Sequence, residues 1–154
     1  MSGLDSINVI VEGAIDGGGM TLNAMPVLHE IRHALEKLAQ SDESTVIDLS
    51  AIPFAPGDRQ QLLEILGNGE VEASIDAMGR TRINETGFPG VWLVRYLDTT
   101  DEEIVTHIEI TRCPSLLITP EPDVAGSAAT LAARLERSQG TVNDESQQIA
   151  RTQE

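Results

Sequence analysis

Apolar residues recur at three- and four-residue spacing through Leu28, Ile31, Leu35 and Leu38, which predicts a helix with one buried stripe. Asn23 is its expected N-cap. Pro26 falls in the first turn, where a missing N–H costs nothing, and the small polar residues 40–44 end the helix. The period then changes to two. Residues 45–49 read as a short strand, and Pro53 and Pro56 flank a rigid loop around Phe54. Asp58 followed three residues later by Gln61 predicts a capped second helix, burying Leu62, Leu63, Ile65 and Leu66 and stopping at Gly67.

The stretch 66–92 organises the rest of the chain. Asn68-Gly69 turns it into an extended segment with Val71, Ala73 and Ile75 at alternate positions, and residues 76–79 form a turn cluster. Residues 81–86 read as the returning strand, with Ile83 on the same side as that first set. After Phe88-Pro89-Gly90, residues 91–97 give the strongest strand signal in the chain. In 104–111, Ile104, Ile108 and Ile110 alternate with Val105, His107 and Glu109. Pro114 closes that strand, and 116–118 suggest one more. A last helix is expected from about Asp123, with Val124, Ala128, Leu131 and Leu135 as its stripe.

The order of elements predicts an α+β fold: a mainly antiparallel sheet of four to five strands with about three helices packed on one face. Residues 1–22, where Ile7, Val9 and Val11 alternate ahead of Gly17-Gly18-Gly19, are expected to be a flexible arm or an edge strand. Residues 23–137 read as a single domain, and the polar stretch 138–154 as a disordered tail.

Composition narrows the chemistry. Aromatic residues make up only 3% of the 154, so the core must be aliphatic. The formal net charge is −15, from 25 acidic and 10 basic side chains, which disfavours phosphate backbones and anionic membranes and favours a basic partner. A single cysteine, Cys113, excludes an internal disulfide and an iron–sulfur cluster ligated within one chain. No basic residue precedes Arg32, unlike a secretory signal, and no apolar run is long enough to span a bilayer, so a cytoplasmic location is expected.

The sharpest motif match is His29-Glu30-Ile31-Arg32-His33, the zinc-protease pattern in which two histidines one turn apart bind the metal and the glutamate acts as general base. The apolar stripe lies nearly opposite both histidines, which sets them on an outer face beside Glu36 and makes a small zinc-dependent hydrolase the lesser alternative. Gly67-Asn68-Gly69 follows a helix instead of preceding one, the reverse of a phosphate-binding loop. Cys113, beside Pro114, reads as a small hydrophobe. No catalytic residue, metal ligand or cofactor is therefore expected. Glu70, Glu85 and Glu109 lie on or beside strands. If Val91, Leu93 and Leu97 face the helices, then Trp92, Val94 and Tyr96 face away, beside Val105, His107 and Glu109. Either a terminal arm folds over this face, or Trp and Tyr stand on an open sheet face and mark a protein-binding surface; on the second reading Glu70, Glu85, Trp92, Tyr96, His107 and Glu109 are the candidate contacts. A scaffold holding a small molecule between sheet and helices is a third reading.

Leu66-Gly67-x-Gly69-Glu70-Val71, Glu85-Thr86, Gly90-Val91-Trp92 and Ile108-Glu109, with Ile47-Asp48-Leu49, Pro53 and Asp58 upstream, resemble the C-terminal conserved region of the hydrogenase expression/formation family HupH, also called HyaF. The likeness covers roughly residues 25–120. It implies an accessory protein in the maturation of uptake NiFe hydrogenases, acting on the small, iron–sulfur-bearing subunit or on a fellow maturation factor, with no enzymatic activity. Typical members have a substantial further N-terminal part. That difference leaves two alternatives, a single-unit relative or a chain that pairs with a second copy as a homodimer.

Overall fold

The computed structural model describes residues 22–151, with side chains described through residue 138. The expected arm or edge strand at 1–22 lies outside that range, Leu22 excepted. The chain divides into two units, Met1–Arg112 and Cys113–Glu154, a boundary inside the stretch that the sequence reads as one domain.

In the first unit, α1 (Ala24–Ser41) forms where the period predicts it. Its buried residues are Ala24, Val27, Ile31, Ala34 and Leu38, while Leu28 and Leu35 are only partly covered. Asn23 occupies the N-cap position, but its amide donates to the Pro53 carbonyl (3.0 Å) and does not cap the helix. Strand β1 (Thr45–Asp48) runs into a single 3₁₀ turn, in which the Asp48 carboxylate accepts from the Ser50 N–H at 2.8 Å.

Helix α2 (Pro56–Leu66) starts two residues before Asp58. Pro56 explains the shift, since its φ is preset for a first helical position. Asp58 is therefore the third helical residue. Fully buried, its carboxylate accepts the backbone N–H of Ala55 (3.4 Å) and of Leu22 (3.1 Å). Ala55 has no side-chain acceptor, so only the carboxylate half of a capping box exists. Leu62 and Leu66 are buried as expected, whereas Ile65 is 44% exposed and Leu63 only half-covered. Each of the two buried leucines contributes about 1.5–3 kcal/mol by leaving water.

Strands β2 (Glu72–Asp76), β3 (Arg80–Glu85), β4 (Val91–Leu97) and β5 (Glu103–Ile110) complete a five-stranded antiparallel sheet in the order β1-β5-β4-β3-β2. Opposed residues of an antiparallel pair share a face. Val91 opposes Ile110 and Leu93 opposes Ile108, and these meet α1 and α2 in one cluster with Ile47, Leu49, Leu62 and Leu66. Val91, Ile108 and Ile110 are fully buried, so aliphatic side chains fill the space between helices and sheet.

The turn after α2 needs glycine for two different reasons. Gly67 has φ +62° and ψ −164°, a region essentially restricted to glycine, with open space around it. Gly69 lacks room: a Cβ there would lie 2.5 Å from the Thr86 carbonyl oxygen and 2.9 Å from Glu85 Cγ. Backbone bonds lock the approach, from Gly69 N–H to the Glu85 carbonyl and from Gly87 N–H to the Leu66 carbonyl, both 2.8 Å. Leu66-Gly67-x-Gly69 and Glu85-Thr86-Gly87 are thus two halves of one backbone contact.

In the second unit, Ser115–Leu117 forms a 3₁₀ turn, not the short strand expected at 116–118. Three consecutive apolar residues carry no period that separates the two. Helix α3 (Glu121–Arg151) then runs well past Ser138, so residues 138–151 are helical and not the expected disordered tail. Propagating a helix fixes one residue per hydrogen bond, and no proline follows Pro122 to stop it. The fold class is the one expected, α+β, with a mainly antiparallel sheet and, among the described residues, three α-helices.

Candidate functional site

The strand register brings five of the six candidate contacts onto the sheet face opposite α1 and α2. Glu85 opposes Trp92, and Trp92 opposes Glu109, so the indole stands between two carboxylates in one row across β3, β4 and β5. In the next row His107 opposes Val94, which opposes Ile83; beyond it Tyr96 opposes Val105 and Thr81. Tyr96 and His107 meet edge to face, with ring centroids 5.3 Å apart. Glu70 precedes β2 and is exposed, brought near this row by the contact between Gly69 and Glu85.

The face is not the open surface that the pleat suggested. Trp92 is 6% exposed, Glu109 9%, and Val94 and Ile83 are fully buried. The indole N–H donates to the Thr111 carbonyl (3.0 Å), so its polar end finds a partner within the chain. Trp92 and Glu109 form a floor, while Glu85, Tyr96 and His107 are half-buried.

Burial pushes the Glu109 carboxyl above its usual range, and the nearby His107 only partly offsets this. Burial, with the Glu109 charge second, raises the Tyr96 phenol as well. The sign for stability follows from linkage. An acid whose folded pKa is raised favours the folded state while protonated, and that contribution fades as pH rises from the unfolded value through the folded one. Glu109→Gln is therefore expected to melt higher than the parent at pH 7.5, with the gap closing toward pH 4. Thermal melts across that range check it; equal melting temperatures at all pH values would contradict it. The Tyr96 phenol should also titrate lower in the variant.

On the helix-facing side, sequence reasoning missed a polar cluster beyond the aliphatic core. Arg95 opposes Thr106 and Arg82 in register. Thr106 is buried, its N–H bonds to Ser50 Oγ (3.2 Å), and its hydroxyl accepts from Arg59 of α2 (3.1 Å). Glu103 joins both Arg59 and Thr106. Burial works to raise its pKa, but the Thr106 hydroxyl and the hydrogen bond and charge of Arg59 outweigh burial and hold it below the usual range. Arg95 donates to Asn84 Oδ1 (3.0 Å). The available signal was Arg95 itself, a charge at a helix-facing position of the most apolar strand.

His29 and His33 both project outward on α1, with His33 Nε2 2.9 Å from the Arg32 guanidinium. Among the described residues no three His, Cys, Asp or Glu side chains are grouped to hold a metal ion. Cys113 is exposed, not the buried hydrophobe expected. No helix among the described residues is long and apolar enough to cross a membrane.

The family described as HupH hydrogenase expression protein, C-terminal conserved region, matches residues 21–138. This chain belongs to the HupH family. The hydrogenase expression/formation protein HoxQ of Azotobacter vinelandii is 37% identical over 112 residues, covering 71% of this chain and 40% of HoxQ. The hydrogenase-1 operon protein HyaF of Escherichia coli is 29% identical over 119 residues, covering 77% of this chain and 40% of HyaF. The match thus spans about two fifths of these relatives. The solved structure of the hydrogenase expression protein HupH from Thiobacillus denitrificans superposes with a TM-score of 0.74 at 36% identity, covering 77% of this chain and 99% of that one.

Proposed function

We propose that this HupH-family chain is a cytoplasmic accessory protein in the maturation of an uptake NiFe hydrogenase, acting by binding and catalysing no reaction. Its partner is the small subunit or a fellow maturation factor. A second copy of the chain is a further partner. The observation that carries this reading is the family match over residues 21–138, to relatives named as hydrogenase expression/formation proteins.

The contact surface we assign is the accessible rim of the sheet face, Glu70, Glu85, Tyr96 and His107, set over the floor of Trp92 and Glu109. With a net charge of −15, the chain attracts basic segments over about 8 Å in physiological salt. Tagged chain, purified from cells that make the hydrogenase, should retain a hydrogenase component at low salt and less of it at high salt. Recovery of no hydrogenase component under either condition would contradict the reading.

A further inference from the structure

Acidic side chains outnumber basic ones 25 to 10, so carboxylates are in ample supply for every cation. Seven basic side chains belong to the first unit, and five of them, Arg32, Lys37, Arg59, Arg80 and Arg112, are ion-paired with a carboxylate. The two left over are Arg82 and Arg95, which stand directly opposite each other on β3 and β4. Like charges at opposed positions, with Cβ atoms about 4.5–5.5 Å apart, destabilise a strand pair.

Neither guanidinium is satisfied within the chain. The Arg82 side chain makes no hydrogen bond or ion pair among the described residues. Arg95 donates to Asn84 Oδ1 (3.0 Å), and its buried Nε–H has no acceptor. Glu103, the carboxylate of this cluster, is already bonded to Arg59 and Thr106. Buried donors in native folds are almost all matched, so an orphan of this kind calls for an acceptor from outside the chain.

We infer that Arg82 and Arg95 form a binding site for a carboxylate side chain carried by an acidic segment of a partner protein. A guanidinium offers a planar fork of donors that matches the two oxygens of a carboxylate. Two forks facing each other across one strand pair hold a single anion between them, and its charge removes their repulsion. Turning the Arg95 fork off Asn84 lets Nε and one Nη donate together.

The neighbours limit how much charge the site accepts. On the same face of β2, Glu72 and Asp76 flank Ser74, the residue that opposes Arg82. A phosphate chain brings further negative charges against both, whereas one Asp or Glu side chain among apolar residues brings none. A groove of about 680 Å³ beside α2, lined in part by Pro56, Arg59 and Leu63, gives those apolar residues a place to lie. Arg59 joins the groove to the site, since it bonds to Thr106, which opposes Arg95. The site lies on the other sheet face from the acidic rim and stands whatever that rim binds.

Heteronuclear NMR of the isotope-labelled full chain tests this through the arginine Nε–H signals. A neutral-ended pentapeptide with one glutamate between leucines should shift the Arg82 and Arg95 signals saturably, and its glutamine counterpart should not. Acetate and inorganic phosphate should each bind at least about tenfold more weakly than the glutamate peptide. Arg82→Gln should weaken the peptide at least about tenfold and, by relieving the opposed pair, melt no lower than the parent. Arg112→Gln, the same loss of charge beside Asp42, should leave the affinity unchanged. Signals that do not move, an equal response to the glutamine peptide, or an equal loss in Arg112→Gln would overturn the site. An Arg82→Gln chain that melts lower than the parent would make this arginine a structural one and overturn the inference. Acetate or phosphate bound as tightly as the peptide would overturn a protein-borne carboxylate as the occupant.

Discussion

Trp92→Ala is expected to cost the sheet unit about 3–5 kcal/mol, the range for truncating a buried Trp or Phe. The ring is 6% exposed, and its N–H is bonded to the Thr111 carbonyl. Because total domain stability is about 5–15 kcal/mol, such a loss brings the fold near its threshold. A second effect opposes the first at high pH. Trp92 stands beside Glu109 and helps to keep water from its carboxyl, so the alanine variant hydrates that group and the cost should shrink as pH rises through the carboxylate range. Trp92→Phe keeps most of the apolar contact and loses the hydrogen bond, a net contribution of about 0.5–1.5 kcal/mol. Urea denaturation of the three chains at pH 5 and pH 8 measures both effects. A loss below about 1 kcal/mol for the alanine variant would place the indole on the surface, against the packing described.

Gly69→Ala is the second large effect, a loss of about 1–3 kcal/mol or more from overpacking. The added methyl would press on the Thr86 carbonyl oxygen at 2.5 Å, and β3 is held in place on both sides by backbone pairing. Yielding means breaking the bonds that join Gly69 to Glu85 and Gly87 to Leu66. Gly67→Ala should also destabilise, for a conformational reason: there is space, but the backbone angles are closed to alanine. Relaxing the neighbouring backbone can rescue Gly69→Ala in part and cannot help Gly67→Ala. Equilibrium unfolding of both variants against Gly126→Ala, which should not lower the stability of the sheet unit, checks the pair. A Gly69→Ala chain as stable as the parent would contradict the close approach.

The parts of this fold legible in the sequence are those in which a period does the work. Strand β4 occupies residues 91–97 as read, because a run of alternating apolar and aromatic residues follows Pro89-Gly90 and fits no helix. Helix α1 was legible from its stripe. Helix α2 was misread at its start because Asp58 resembles an N-cap, whereas Pro56 fixes the first turn and the carboxylate reaches back to Ala55. Ile65 and Leu63 were expected in the core, but an 11-residue helix turns only one narrow stripe inward, and Leu62 and Leu66 fill it.

The face that carries most of the candidate contacts was legible in the sequence, but its exposure was not. Alternation places Trp92, Tyr96, His107 and Glu109 on one face; the register agrees and adds Glu85. A period of two does not say whether that face is open. Trp92 proved to be buried, with its N–H bonded to the Thr111 carbonyl 19 residues along the chain, a contact that no local period announces. The Arg59, Glu103 and Thr106 cluster was hidden for the same reason, since its members come together from α2 and β5 across 44 and 47 residues of sequence. Polar composition after Ser138 concealed the length of α3, because helix formation needs only an unbroken backbone ladder and not an apolar surface all round.

The central claim is that an acidic rim on a folded, non-catalytic domain recognises a hydrogenase component. Calorimetric titration of the purified chain with purified hydrogenase small subunit tests it most directly, beside a Glu70→Lys/Glu85→Lys chain whose melting temperature matches the parent's. The account predicts saturable binding that weakens as salt rises and falls at least about tenfold, some 1.4 kcal/mol, on charge reversal. Absence of binding, or an affinity indifferent to both salt and charge reversal, would contradict it.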